Sequence, residues 1–523
     1  MQIKGWMIDA ARLPEPLPCY RQVIDFCAAW GFNTILFRLA DDQGSALHFA
    51  SHPELATHPH AFTADELAGL ARYAAGRGIQ LIPEIESFGH TGYITRSPIH
   101  ATLMDNDPAS GSSYTGVIPN HPDTLALMAD LYREAADIFP STYLHGGCDE
   151  VNWGGSAFSQ AAIRRQGRAG VWTDYLNRLN VLARGLGKEL MVWADHVLGS
   201  ESDHLAVLQG LSREIILVDW SYWDSDPARG DGASPHPGPI ESRARLALAR
   251  GFRLAGAPAW GWCRWGVRAG ESQLRNIDAY ADIYRAIPDP RCLGLIVTHW
   301  VPSRLIPGAA WDGAAYTGAA LEQGSAAARL AALPRFVREH YVAEWDETWA
   351  DIFHTLYHIT PPRRACSPGW MAPFQPPVWA DEAGLAALLA DQSPPFASDL
   401  PWARLRAQVA ACAAKVQRNL PDFQAFALSV EYLEHIHWRC AAVIEARANP
   451  AQRATLLQTI ARRDAQLVEA MTRAWDAARF TDDPAKERLL VDLSLEDQSL
   501  LALRRAAQFT ARLAANPGET LKV

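Results

Sequence analysis

Two adjacent carboxylates, Asp149 and Glu150, close the stretch 142–150, Thr-Tyr-Leu-His-Gly-Gly-Cys-Asp-Glu. β-favouring residues run into two glycines and then acids, the pattern of a buried strand handing the chain to a loop. Carboxylates at such an exit suit proton transfer or the stabilisation of a developing positive charge. The same pair would also serve to open a following helix, whose dipole favours acids in its first turn. Cys148 has the residue type of a nucleophile, but two neighbouring carboxylates raise a thiol's pKa rather than activate it, so it reads better as a packing residue.

What must position this pair is legible in the alternation of short apolar runs with amphipathic segments through about residue 330, the pattern of βα units. Strands are predicted at 4–9, 33–39, 79–84, 142–146, 190–194, 215–219, 253–257 and 293–298, with helices between them, for example at 20–30, 64–76, 123–139 and 173–187. Eight such repeats fit an α/β fold of (β/α)8 TIM-barrel type, whose site sits where strand ends meet the following loops. A doubly wound sheet is the alternative, but Asp9-Ala10-Ala11-Arg12-Leu13-Pro14 follows the first strand where a Gly-rich phosphate loop would stand.

The barrel reading requires the residues just after each strand to form one chemically sensible set. They are Asp9 and Arg12; Asp41, Asp42 and Gln43; Glu84, Glu86 and His90; Asp149 and Glu150; Trp193 and Asp195; Trp220 and Tyr222; Trp260 and Trp262; His299 and Trp300. Each also has a plain structural role open to it, such as an Asp9–Arg12 ion pair at the barrel end or a satisfied core histidine at His90. Acids, one arginine and a wall of indoles together suit a sugar ring. Nineteen tryptophans, with Trp223 and Trp265 near that wall, strengthen the pattern.

The composition narrows the partners. The net charge of −10 and the lack of a Lys/Arg cluster argue against nucleic acid or an anionic membrane as partner. No apolar run is long enough to span a bilayer, and the first residues lack the pattern of a secretory leader, so a cytoplasmic location is expected. Eight scattered cysteines, with no Cys-x-x-Cys, fit buried thiols. Three regions are expected: a barrel over 1–335, a Pro-rich connection over 336–400, and an α-helical domain over 401–523 with about three long helices broken near Asn449-Pro450 and Asp482-Asp483-Pro484. His435 and His437, two apart on a helix, face different ways and make a poor metal pair.

Four segments in order carry a resemblance: Gly5-Trp6-Met7-Ile8-Asp9-Ala10-Ala11-Arg12; residues 33–39 with Asp41-Asp42-Gln43; Ile82-Pro83-Glu84-Ile85-Glu86-Ser87-Phe88-Gly89-His90; and His145-Gly146-Gly147-Cys148-Asp149-Glu150. The chain resembles glycoside hydrolase family 20, the β-N-acetylhexosaminidases, and within it the hexosaminidase D-like branch. The resemblance implies removal of terminal β-linked N-acetylgalactosamine or N-acetylglucosamine with retention, through an oxazolinium formed by the substrate's own acetamido group, and no metal or organic cofactor. By that matching Glu150 is the proton carrier, with a raised pKa, and Asp149 orients the acetamido group. His90 and Asp41 form a relay behind Glu150, Arg12 clamps sugar hydroxyls, and Trp193, Trp220 and Trp300 enclose the N-acetyl group. Glu86, Tyr222, Trp260 and Trp262 complete the expected substrate-binding set.

Departures from the family pattern shape the specificity. Glu86 stands where many members have Asp, and Pro258-Ala259-Trp260-Gly261-Trp262 stands where the family places a tyrosine donor, which Tyr222 or an indole would replace. Trp300-Val301-Pro302 lacks a carboxylate found in the family. Losing acids that read the sugar's outer hydroxyls implies tolerance of the galacto configuration. Two other classes are weighed: a carbohydrate-binding pseudoenzyme on the same barrel, and a metal-dependent hydrolase using His90, His145, Asp149 and His299. The Pro-rich segment with Trp370 and Trp379 is a candidate cap for this chain's pocket or for that of a second copy in a homodimer.

Overall fold

The computed structural model of the chain describes residues 1–110, 112, 114–198, 202–222, 240–260, 270–358, 379–390, 401–491, 493 and 495–516. They fall into two compact units, the first made of Met1–Trp260, Ser272–Trp300 and Thr317–Arg329.

In the first unit ten strands form one sheet: β1 (Ile3–Asp9), β2 (Thr34–Asp41), β3 (Gly44–Leu47), β4 (Thr57–Phe62), β5 (Gln80–Ile85), β6 (Tyr143–His145), β7 (Glu189–Trp193), β8 (Ile216–Trp220), β9 (Arg253–Ala257) and β10 (Cys292–Val297). Eight of them run parallel, and β1 pairs with both β2 and β10, so the sheet closes into the expected (β/α)8 barrel. Every residue of β2 is buried, as a strand covered by helices on one face and barrel interior on the other requires. The helices answer to local signals as well as to burial. Thr63 and Glu66 form a capping box at the start of helix Ala64–Ala75, whose buried Leu67, Leu70, Ala71 and Ala74 lie on one face.

Sequence reasoning did not foresee β3 and β4. β3 runs antiparallel to β2 through Asp41↔Gly44, and β4 pairs parallel to β3. Gly-Ser-Ala-Leu has no β-branched residue to announce a strand. The hairpin matters because its turn carries Asp42.

The second unit comprises Gly261–Glu271, Val301–Tyr316 and Leu330–Val523. Among the described residues four helices, Trp402–Ala413, Leu420–Ala448, Arg453–Ala478 and Ser499–Ala515, stand where about three were expected. The additional break falls at Asn419, which is left-handed (φ 55°) and precedes Pro421. Helices Glu347–His358 and Glu382–Ala390 lie in the stretch read as connection; the first buries Trp349, Ile352, Phe353, Leu356 and Tyr357. Pro361, Pro362, Trp370 and Pro395 lie outside the described residues. His435 and His437 diverge as expected: His435 meets Asp464 at 2.6 Å, and His437 packs edge-on to Trp402. No helix among the described residues is long and apolar enough to cross a membrane.

Candidate active site

The loop after β6 is built on unusual backbone. Gly147, Cys148 and Glu150 all have positive φ (63°, 76° and 46°), as does His90 (48°) after β5. Each non-glycine residue held there costs about 1–3 kcal/mol, which surrounding structure must offset. At Gly147 a Cβ would lie 1.9 Å from Glu86 Oε2, so glycine alone admits that carboxylate beneath the loop. The carboxylate then accepts the Cys148 N–H at 3.0 Å. The acidic pair does not open a helix, since the next one begins at Ala157 with Ser156 as its cap.

Glu150 and Asp149 share His90. His90 Nε2 lies 3.3 Å from Glu150 Oε2 and 3.8 Å from Asp149 Oδ2, while its Nδ1 meets Asp42 Oδ2 at 3.0 Å. Asp42 is fixed in turn by the Gly92 N–H at 2.8 Å and the Thr115 hydroxyl. The relay partner is therefore Asp42 and not the expected Asp41. Asp41 is the last residue of β2 while Asp42 lies in the turn that follows, so the two side chains go to different partners. Asp41 instead binds Arg38 at 2.6 Å and Arg12 at 3.0 Å.

This arrangement reverses the expected shift of Glu150. Burial pushes its carboxyl up, but the hydrogen bond and charge of His90, the charge of Arg12 and a hydrogen bond from Tyr114 together hold it below the usual carboxylate range. His90 is the converse. Burial lowers it, yet Asp149, Asp42 and Glu150 raise it well above an ordinary imidazole. The two shifts run in opposite senses across a 3.3 Å contact and favour the charged pair. The Glu150 side chain is 37% exposed and Asp149 only 6%. Asp149 Oδ1 is buried without a hydrogen-bond partner among the described residues, an acceptor waiting for a donor. Cys148 is a buried thiol pushed well up by burial and by Glu86 and Asp149, and its Sγ faces the Gly146 carbonyl at 3.2 Å, so it is no nucleophile.

Beneath the pair lies a charge cluster centred on Arg38. It contacts Asp41 at 2.6 Å, Glu86 at 2.7 Å, Glu84 at 3.5 Å and Asp9 at 3.7 Å, all fully buried or nearly so. Burial pushes Glu84 up to about 7 and Glu86 well above the usual range, against the pull of Arg38. Glu86 was expected to bind substrate. With no exposure and its oxygens on Arg38 and the Cys148 N–H, it supports the loop instead. The Trp193 indole likewise faces inward and donates to Glu84 at 2.8 Å, with 1% of the residue exposed, and Trp260 is as deeply buried.

Arg12 and Trp300 do come together: the guanidinium stands 5.1 Å from the centre of the indole. Trp300 donates to the Tyr222 hydroxyl at 2.7 Å, and Tyr222 packs on Trp220 with ring centres 5.1 Å apart. Burial, with smaller contributions from Asp149 and Glu150, pushes the Tyr222 hydroxyl well up. Trp223, Trp262 and Trp265 lie outside the described residues.

Sequence reasoning passed over three contributors. Tyr114 packs at a tilt of 55° on His90 with ring centres 4.4 Å apart and hydrogen-bonds Glu150; it comes from a loop with no motif of its own. Arg38 had a visible signal, a charge within an otherwise apolar strand. Asp195, noted only as following a strand, accepts the Glu150 N–H at 3.0 Å and so sets that residue's backbone. Gly89 is a further fixed point, because a Cβ there would lie 2.1 Å from the Asp149 carbonyl oxygen. Gly89→Ala is expected to displace the Asp149–Glu150 loop, costing about 1–3 kcal/mol and lowering turnover together with the melting temperature. Thermal unfolding and steady-state rates on the variant check both.

Comparison with known proteins agrees with the geometry. Residues 2–231 match the model of glycosyl hydrolase family 20, catalytic domain. A beta-hexosaminidase of Vibrio furnissii is 28% identical over 259 residues, 42% of this chain and 39% of that protein. One from Akkermansia muciniphila is 30% identical over 172 residues, 28% of this chain and 34% of that protein. The chain thus spans less than half the length of these curated relatives. The solved chitobiase of Flavobacterium johnsoniae shares the fold, with a TM-score of 0.52 at 17% identity over 96% of this chain and 78% of that one.

Proposed function

We propose that this protein is a retaining exo-β-N-acetylhexosaminidase of glycoside hydrolase family 20, acting by substrate assistance. The observation that carries the reading is the pair itself: a buried Asp149 oxygen without a donor, beside a half-exposed Glu150 backed by His90 and Asp42. Oxygens of Asp149 and Glu150 lie within 4.8 Å of each other, and both carboxylates approach the same imidazole nitrogen. An ordinary retaining glycosidase needs its carboxyls about 5 Å apart on opposite sides of the anomeric carbon. Two acids on one side suit a reaction whose nucleophile arrives with the substrate.

In this mechanism the proton of the His90–Glu150 pair passes through Glu150 to the glycosidic oxygen as the bond to the anomeric carbon breaks. The acetamido carbonyl oxygen bonds to that carbon, and the acetamido N–H, growing acidic, donates to Asp149. Glu150 then takes a proton from water as it opens the oxazolinium, which returns the β configuration. Covering the exposed face of Glu150 with substrate adds to burial, its largest upward influence, and so moves the proton towards it.

The affinity for the D-like branch and the galacto tolerance belong to the same proposal. The first rests on the four matching segments, the second on carboxylates missing at Pro258-Ala259-Trp260 and at Trp300-Val301-Pro302. Release of aryl alcohol from the β-N-acetylglucosaminide and the β-N-acetylgalactosaminide tests it. Values of kcat/KM within about ten-fold of each other are expected, because the sequence places no acid at Pro258-Ala259-Trp260 or Trp300-Val301-Pro302 to contribute the ~1.4 kcal/mol that each further factor of ten demands. Strong exclusion of the galactosaminide would refute the specificity while leaving the hydrolase reading intact.

A further inference from the structure

A second group of metal-ligating side chains lies in the first unit, outside the residues of the acidic pair. His52 Nδ1 lies 2.9 Å from Glu54 Oε1, and His100 Nε2 lies 2.7 Å from the same oxygen. The three donor atoms fall within 4.8 Å of one another. They come from two places in the chain, the loop between β3 and β4 and the turn after the short helix Gly92–Thr95, so the fold and not local sequence assembles them. Their side chains are 18%, 24% and 15% exposed, sheltered yet reachable.

Hydrogen-bond accounting makes this group unusual. His52 has a carboxylate at each ring nitrogen, Glu54 at Nδ1 and Asp130, on helix Pro122–Ile138, at Nε2 (3.3 Å). A cation between His52, Glu54 and His100 would take the Nδ1 side of the ring and leave Nε2 to Asp130. Asp130 then accepts the Nε2–H and fixes the tautomer whose Nδ1 lone pair points at the ion, the carboxylate–histidine–metal arrangement.

We propose that His52, Glu54 and His100 bind a divalent first-row transition ion, zinc being the best fit, with Asp130 as the residue that orients His52. Two imidazoles and one carboxylate suit zinc with one open position, whereas calcium and magnesium demand more oxygens. The site is structural in position. Loop residues Ala50 and Ser51 already hang on Glu134 of helix Pro122–Ile138, and the Ala56 N–H joins the Tyr93 carbonyl close to the segment that fixes Asp42. An ion here ties the loop, that helix and the chain following His90 into one body.

Equilibrium dialysis of the chelator-stripped full chain against zinc, with metal counted per protein, tests the site. Expected is one equivalent that Glu150→Gln retains, that both His52→Gln and His100→Gln lose, and that Asp130→Asn binds about 10–100-fold more weakly. The histidine variants should keep the circular-dichroism spectrum of the parent and lose the rise in melting temperature that zinc gives it. No zinc held at stoichiometric level, or binding unchanged in both histidine variants, would overturn the proposal. Loss of the equivalent in Glu150→Gln alone would also overturn it, by assigning the ion to His90, Asp149 and Glu150.

Discussion

Glu150→Gln is expected to lower kcat/KM by about 10²–10⁴ on substrates whose leaving group is a sugar or another weakly acidic alcohol. The amide keeps the shape of the side chain and its neighbours, Tyr114 and the His90 imidazole, but can neither deliver a proton nor take one from water. An aryl leaving group that departs without protonation should suffer less in the first step, so the loss ought to shrink as the leaving group becomes more acidic. The pH profile carries a second signature. Because His90 is held well above an ordinary imidazole, the one proton of the His90–Glu150 pair leaves only at high pH, so the pair sets the alkaline limb of kcat/KM in the parent. That limb should disappear in the variant. A loss that is uniform across leaving groups, with the limb intact, would remove Glu150 from proton transfer.

Asp149→Asn is the second large effect, with an expected loss in kcat of about 10²–10³. The buried Oδ1 has no partner among the described residues, so the site offers a charged acceptor for which desolvation is already complete. Asparagine removes the negative charge that steadies the cation forming on the acetamido group. It also removes the strongest upward influence of a neighbour on both His90 and Asp195. Because the defect lies in the nucleophile and not in the departing oxygen, it should be nearly the same for good and poor leaving groups. Measuring the two variants on one series of aryl glycosides separates the roles of adjacent residues. Parallel leaving-group dependence in both would contradict the division of labour.

The barrel was legible because its eight strands carry dense apolar runs at regular spacing, and the residues at their ends announced a site. The hairpin β2–β3 was not, as the four-residue β3 lacks β-branched side chains and is held by pairing with β2. Which of Asp41 and Asp42 stands behind His90 depends on where β2 ends, a one-residue question that composition cannot answer. The shift of Glu150 was misread for a related reason. A carboxyl in a barrel mouth is expected to rise with burial, but the imidazole at 3.3 Å, itself surrounded by three acids, reverses the balance. Indoles were read as a wall for substrate, yet the indole N–H of Trp193 is spent on Glu84, and Glu86 on Arg38 and the Cys148 amide. Such assignments follow from side-chain direction, which the barrel's layering sets and a strand-end inventory does not record. Tyr114, in a loop far in sequence from both residues it touches, had no local signal at all.

The central claim is that the nucleophile belongs to the substrate. It is tested most directly by comparing an aryl β-N-acetylglucosaminide with the aryl β-glucoside, which differs only in carrying a hydroxyl for the acetamido group. The account predicts hydrolysis of the first and a rate at least about 10³-fold lower for the second, since the oriented intramolecular attack is gone and no protein carboxylate takes its place. Comparable rates on the two would contradict it.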